Sequence, residues 1–236
     1  RSRGLGDVYK RQNSPNNPTG RVMPKEELLQ IAEVLRENKN INILSDEIYE
    51  LILKKEFKHL SLASLAPDLK ERIFIINGFA KGWAMTGWRV GYLVGQKDVI
   101  RASSALQSQS TSNVCSFVQR GALEALKINQ EFFLKINSHY DLRREALYKG
   151  LKNIEGLFLY PPDGAFYAFP RLPNNSITSV EFCKKILNDY GLVVVPGKPF
   201  GDDQCIRISC ASSKEKILDG LSRLELSLIH VSEPTS

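Results

Sequence analysis

Between residues 24 and 98 the sequence changes period repeatedly, and this alternation constrains the fold more than any other feature. "PKEELLQIAEVLREN" (24–38) carries apolar residues at 28, 29, 31, 32, 34 and 35, the spacing of an amphipathic helix, with Pro24 at its start. "INILSDEIY" reads as a buried strand running into a polar end, "SLASLAPDLKE" as a short helix, and "RIFIINGF" as a second strand. "WRVGYLVG", closed by "QKDV", is a third. Strands separated by helices predict an α/β unit with a mostly parallel sheet.

From residue 99 to about 154 the pattern is helical, interrupted only by "SQSTSN" and "KINQ". "LFLYPPDGAFYAFPRL" then reads as a hairpin-like pair of strands. "SITSVEFCKKILNDYG" is a helix with a Ser/Thr cap and a terminal glycine. "LVVVPG" and "CIRISCA" are strands, and "SKEKILDGLSRLE" is a closing helix, together a smaller α+β domain. The expected division is a larger α/β domain over 13–130 and a smaller one over 131–225.

The two ends are read as foreign to this fold. "VYKRQ" (8–12) can be encoded GTG TAT AAG AGA CAG, whose reverse complement, CTG TCT CTT ATA CAC, encodes "LSLIH" (226–230). Opposite strands of one DNA segment at both ends resemble a sequencing-library adapter translated as coding sequence, so 1–12 and 226–236 are expected to be non-native. Four basic and two acidic residues lie in these segments, which lowers the net charge from +6 to +4.

The remaining basic residues are dispersed, without a Lys/Arg block or basic-aromatic stripe, so no nucleic-acid partner is expected. No apolar run approaches the roughly 20 residues that span a bilayer. Cys115, Cys183, Cys205 and Cys210 form no CxxC pair, and Cys205 and Cys210 point to opposite faces if "CIRISC" is a strand. With His59, His139 and His230 scattered, no metal site is expected, and reduced thiols suggest the cytoplasm.

The chemistry concentrates in "NGFAKGWAMTGWRVG" (77–91). Lys81 follows an apolar strand, in the crevice where α/β sheets bind ligands, and as a free amine it can form an imine with a carbonyl. Arg89, eight positions on, suits a phosphate. Taken alone, Lys81 reads first as a surface lysine, Asp46 and Glu47 as strand-end charges, Asn17 as a turn residue and Arg207 as an ion-pair partner; seen together in order, they read as functional.

"GFAKGWAMTGWRVG" resembles the cofactor-lysine signature of the class I/II aminotransferases, the fold type I enzymes that depend on pyridoxal phosphate. "NNPTG", "SDEIYE", "DGAFYAF", "VVPGKPFG" and "IRISCA" match the same family in order, so the resemblance covers essentially all of 13–225. It implies the C-terminal part of the fold type I large domain followed by the small domain. It implies pyridoxal 5'-phosphate as cofactor, with amino acid and 2-oxo acid substrates. Lys81 is then the lysine that condenses with the cofactor and later moves the proton at the substrate's α-carbon. Asp46 faces the pyridine nitrogen, Tyr49 and Asn17 donate to the ring's phenolic oxygen, Arg89 clamps the phosphate, and Arg207 holds the substrate carboxylate as a bidentate fork. Asn17 thereby also contacts substrate. The Asn17–Pro18 bond is expected to be cis, and a homodimer is implied. Thr111, Ser112 and Asn113 correspond to a loop near the partner's phosphate, although helix capping explains them equally.

Ala80 stands where many relatives carry a hydroxyl before the lysine. The family's N-terminal arm, glycine-rich phosphate loop and ring-stacking aromatic precede the segment matching "NNPTG", and the expectation is that the 236-residue chain by itself is inactive. The lysine motif resembles the bacterial aspartate aminotransferases most closely, which points to aspartate or a related donor. Two other readings use the same residues: a lyase or carbon–carbon synthase, and an aminotransferase-like sensor domain of a transcription regulator.

Overall fold

The computed structural model describes residues 9–173 and 177–232. Of the segments read as non-native, 1–8 and 233–236 lie outside the described residues. The chain divides into two units, one gathering residues up to Pro15 with Val22–Leu134, the other Asn16–Arg21 with the residues from Lys135 on.

The first unit is built on a four-stranded sheet. β1 (Tyr9–Asn13), β2 (Asn42–Asp46) and β3 (Ile73–Gly78) run parallel, and β4 (Gly91–Val94) pairs antiparallel with β3, in the order β1-β2-β3-β4. The register sets Asn13 opposite Asp46 and Asp46 opposite Ile76, so the carboxyl ends of the three parallel strands form one edge. Helix α1 (Lys25–Glu37) joins β1 to β2 and buries Leu28, Ala32 and Leu35 against Ile43, Leu62, Leu69 and Ile73. Each such leucine contributes roughly 1.5–3 kcal/mol relative to exposure. Glu26 and Glu27 sit in its first turn, where the helix dipole favours acids. At its far end Arg72 donates to the carbonyl of Leu35, in the last turn of the helix, and to those of Asn38 and Ile41 just beyond it. The short helix α2 (Leu62–Leu65) and a 3-10 turn (Pro67–Arg72) lead into β3. Gly78 and Gly91 face each other so closely that a Cβ on Gly78 would lie 2.8 Å from the Gly91 Cα. Then come α3 (Lys97–Ser110), α4 (Ser116–Ala125) and α5 (Gln130–Asn153), which crosses into the second unit.

The second unit contains most of α5, β5 (Tyr167–Ala168), α6 (Ser179–Tyr190), β6 (Val195–Pro196), β7 (Ile206–Ser209) and α7 (Lys214–Ser232). Its antiparallel sheet has the order β5-β7-β6. Leu147, Leu151, Phe182, Ile186, Ile206 and Leu224 lie in its core. Helix α6 starts with a capping box between Thr178 and Glu181 and stops at Gly191, whose φ is +61°.

The structure departs from the sequence reading in five places. A strand, β1, stands ahead of the Asn/Pro cluster, where none was expected. It includes residues 9–12, because parallel pairing to β2 uses backbone groups whatever the side chains. The hairpin over 157–172 reduces to one bridge between Phe158 and Arg171, and β5 pairs with β7 instead. Pro161, Pro162 and Pro170 lack the N–H groups that a longer ladder needs. Asn16–Arg21 joins the second unit, since the Asp163 and Gly164 N–H groups donate to the Gly20 carbonyl at 2.9 and 2.8 Å. Cys205 and Cys210 are both buried, Cys210 lying beyond the end of β7. Helix α7 continues past residue 225, with Ser227 and Leu228 buried. No helix among the described residues is long and apolar enough to cross a membrane.

Candidate active site

In the first unit the candidate residues gather at the carboxyl ends of the parallel strands. Asp46 closes β2, and its Oδ2 accepts from Arg11 Nη2, while Oδ1 accepts from the Ile48 N–H at 3.3 Å. Asn13 Nδ2 holds the Asp46 carbonyl at 3.0 Å. The chain turns immediately (Glu50 N to Glu47 O, 2.9 Å), which buries Tyr49. Lys81 Nζ lies 5.9 Å from the centroid of the Tyr49 ring.

The lysine loop is anchored from both sides of Lys81. Phe79 and Trp83 pack at 4.8 Å between centroids, Trp83 meets Phe133 edge-on at 5.6 Å, and Trp83 Nε1 donates to the Ala125 carbonyl. The Ala84 N–H donates to the Lys81 carbonyl at 3.0 Å. Arg89 follows in a left-handed conformation (φ +53°), exposed, with Nη1 on the Thr86 carbonyl. Thr111 and Ser112 close α3, their N–H groups both donating to the Gln107 carbonyl.

A second layer was not legible in the sequence. Glu47, 4% exposed, accepts from Ser45 Oγ and Ser61 Oγ on Oε1, and His59 Nε2 lies 3.0 Å from Oε2. Glu50 accepts from Asn77 Nδ2 at 2.6 Å, and Asn77 Oδ1 accepts from the Gly78 N–H. Burial alone would push the Glu47 carboxyl up, but the His59 hydrogen bond and charge, with the Ser61 and Ser45 hydroxyls, outweigh it and hold Glu47 below its ordinary value. At Glu50 burial prevails and the carboxyl is raised, against the pull of Asn77 and His59. Ligand atoms of Glu47, Glu50 and His59 fall within 4.8 Å of one another, a grouping hidden by the scatter of histidines along the chain. The i, i+3 spacing of Glu47 and Glu50 was its only trace.

In the second unit the centre is Arg207 of β7. Its Nη1 donates to Asn17 Oδ1 at 2.8 Å, and its Cζ lies 4.6 Å from the Tyr167 ring centroid and 5.2 Å from that of Phe200. Arg207 Nε is buried and makes no hydrogen bond. A guanidinium held between rings with an unused N–H suits a carboxylate fork. Asn17–Pro18 is cis, as is Ser14–Pro15. The sequence pointed to Asn17 and Arg207 but not to the ring walls, although Tyr167 and Phe200 lie in the matched "DGAFYAF" and "PGKPFG".

The family model for aminotransferase class I and II matches residues 12–224. The chain belongs to this family. It is 41% identical over 223 residues to a probable aspartate/prephenate aminotransferase of Rickettsia felis, covering 90% of this chain and 54% of that protein. It is 40% identical over 229 residues to an aspartate aminotransferase of Pinus pinaster, covering 92% and 46%. Among solved structures, the aspartate aminotransferase of Rhizobium meliloti superposes with a TM-score of 0.89 at 33% identity, over 94% of this chain and 58% of that one. This aminotransferase-family chain therefore spans about half the length of the curated relatives it matches. Its fold is the mixed α/β fold of those structures, fold type I among the pyridoxal phosphate enzymes.

Proposed function

We propose that the protein is a pyridoxal 5'-phosphate-dependent aminotransferase, moving an amino group between aspartate or a related amino acid and a 2-oxo acid. The observation that carries this reading is the group at the ends of β1–β3: a buried carboxylate, a buried tyrosine beside it, and Lys81 over the tyrosine ring. The donor set fits the cofactor. Asp46 already engages a cationic N–H, that of Arg11, and the same carboxylate can hold the proton of a pyridinium nitrogen. The exposed Arg89 guanidinium suits the phosphate, and the buried, unused Nε of Arg207 suits the substrate's α-carboxylate. By the resemblance, Tyr49 would donate to the ring's phenolic oxygen, as would Asn17.

When bound, pyridoxal phosphate supplies an electron sink for the carbanion left at the substrate's α-carbon. Lys81 Nζ anchors the cofactor and then moves the proton at that carbon. Arg207 fixes the carboxylate and thereby orients the α-proton, with Asn17 bracing the guanidinium. The aspartate and aspartate/prephenate aminotransferases among the relatives support aspartate as donor. A homodimer is proposed from the resemblance, and a reducing cytoplasmic setting from four free cysteines, of which only Cys115 is exposed. The deciding assay gives aspartate and 2-oxoglutarate to the full-length protein. Glutamate and oxaloacetate are the expected products, and their absence overturns the aspartate reading.

A further inference from the structure

We infer that Arg144, on α5, is a positioning residue for the carboxylate-binding guanidinium of Arg207. This rests on the proposed role of Arg207. Arg144 is the largest fully buried side chain among the described residues, at 1% exposure. Burying a guanidinium is costly unless its donors are matched. Here Nη2 donates to Asp141 Oδ1 at 2.6 Å and Nη1 to the Ala165 carbonyl at 2.5 Å, so two of the three nitrogens are matched, while the buried Nε makes no hydrogen bond. Ala165 is a fully buried non-glycine residue in the left-handed region (φ +53°), a conformation that needs support from its surroundings. Tyr140, one helical turn before Arg144, stacks on the next residue, Phe166, at 5.6 Å and 20°. Helix α5 therefore grips the 163–166 turn at two consecutive residues.

Two of the three supports of Arg207, Asn17 and the Tyr167 ring, are tied to that turn. On one side Asp163 N and Gly164 N donate to the Gly20 carbonyl, and the Gly20 N–H donates to the Asn16 carbonyl at 2.8 Å. This clips the Asn16–Arg21 loop in place, and Asn17 Oδ1 of the loop receives Arg207 Nη1. The clip leaves no room for a side chain: a Cβ on Gly20 would lie 2.6 Å from the Pro162 Cβ. On the other side the turn runs into β5, whose Tyr167 pairs with Ser209 of β7 and sets its ring 4.6 Å from Arg207 Cζ. Arg144 touches neither Arg207 nor Asn17, yet the carbonyl it holds lies between the two paths that fix them.

The test uses the full-length protein with succinate, a dicarboxylate lacking the reacting amine, as probe. Succinate affinity is read by calorimetry, and the Arg207 Nε–H resonance by NMR, in the parent, Arg144→Met, Arg144→Lys and Arg207→Lys. Arg144→Met is expected to weaken succinate binding by roughly tenfold to hundredfold, the scale of a small misplacement, and to shift the Arg207 Nε–H resonance without ligand. Arg144→Lys, which keeps the charge but not the two-way fork, is expected between parent and Met, and it is the variant read if Met prevents folding. A folded variant with parental affinity and an unmoved resonance overturns the proposal. If the parent does not bind succinate and Arg207→Lys changes nothing, the carboxylate role of Arg207 fails instead. The ligand-free resonance then still decides whether Arg144 positions the guanidinium.

Discussion

Arg207 in the second unit and Lys81 in the first are held in different ways. Arg207 is fixed on three sides at its charged end, by Asn17 Oδ1 and the rings of Tyr167 and Phe200, and its strand rests on a continuous core. Lys81 is set by its backbone and by its neighbours Phe79 and Trp83, while its long side chain reaches over Tyr49. The surroundings differ in the same sense. Helix α3 of the first unit buries no residue, and Val94, Val99 and Leu106 are exposed. A group that binds one ligand geometry gains from being held rigidly beforehand. The Arg207 guanidinium is held in that way for the proposed carboxylate.

The strongest way to break the comparison is at Lys81. Lys81→Ala in the full-length protein is expected to lower kcat by at least about 10²–10⁴, the scale of a lost proton-transfer group, and to abolish the visible absorbance of bound pyridoxal phosphate. Retained absorbance and turnover would remove the basis for the reading. The second unit's rigidity is tested at Phe182, 1% exposed in its core. Phe182→Ala should cost about 3–5 kcal/mol in chemical denaturation.

Glu47 probes whether the lysine side has a rigid layer of its own. Glu47→Gln should destabilise by about 1–3 kcal/mol at neutral pH, since its buried hydroxyl and histidine partners lose their charged acceptor. The folded Glu47 carboxyl lies below its ordinary value near 4.5, so its stabilisation is complete above that pH and fades as pH falls through the depressed folded value. The variant should show a shallower loss of stability in acid, and an unchanged acid limb would refute the assignment. Glu50, raised by burial, works in the opposite sense, being relieved on protonation. The smallest effect is expected at Leu106, 72% exposed on α3, where Leu106→Ala should change stability by no more than about 0.5 kcal/mol. A larger loss would mean that α3 is packed more firmly than its exposure indicates.

Local signals in the sequence carried much of this. The period of 24–38 placed α1 because every third or fourth residue must meet the sheet. Thr178 and Gly191 bounded α6 because caps act within one turn of chain. The lysine motif was legible because its constraints lie within fifteen residues. Other features left no local mark. The hairpin read into 157–172 failed because prolines deny the ladder its donors, and β5 found its partner in β7. Glu47 looked like a strand-end charge until Ser61 and His59, 14 and 12 residues away, closed on it.

By itself, then, the sequence determined the α/β alternation and the closing α+β module, and through the family resemblance it named the lysine, aspartate and arginine of the proposed chemistry. The tertiary structure decided that Asn16–Arg21 belongs with the second unit, that Arg144 supports Ala165, and that Asp46 pairs with Arg11. Periodicity and capping are written by neighbours a few residues apart, whereas Arg207 meets Asn17 across 190 residues of chain. A contact of that span depends on every fold element between its partners, so only the folded chain determines it.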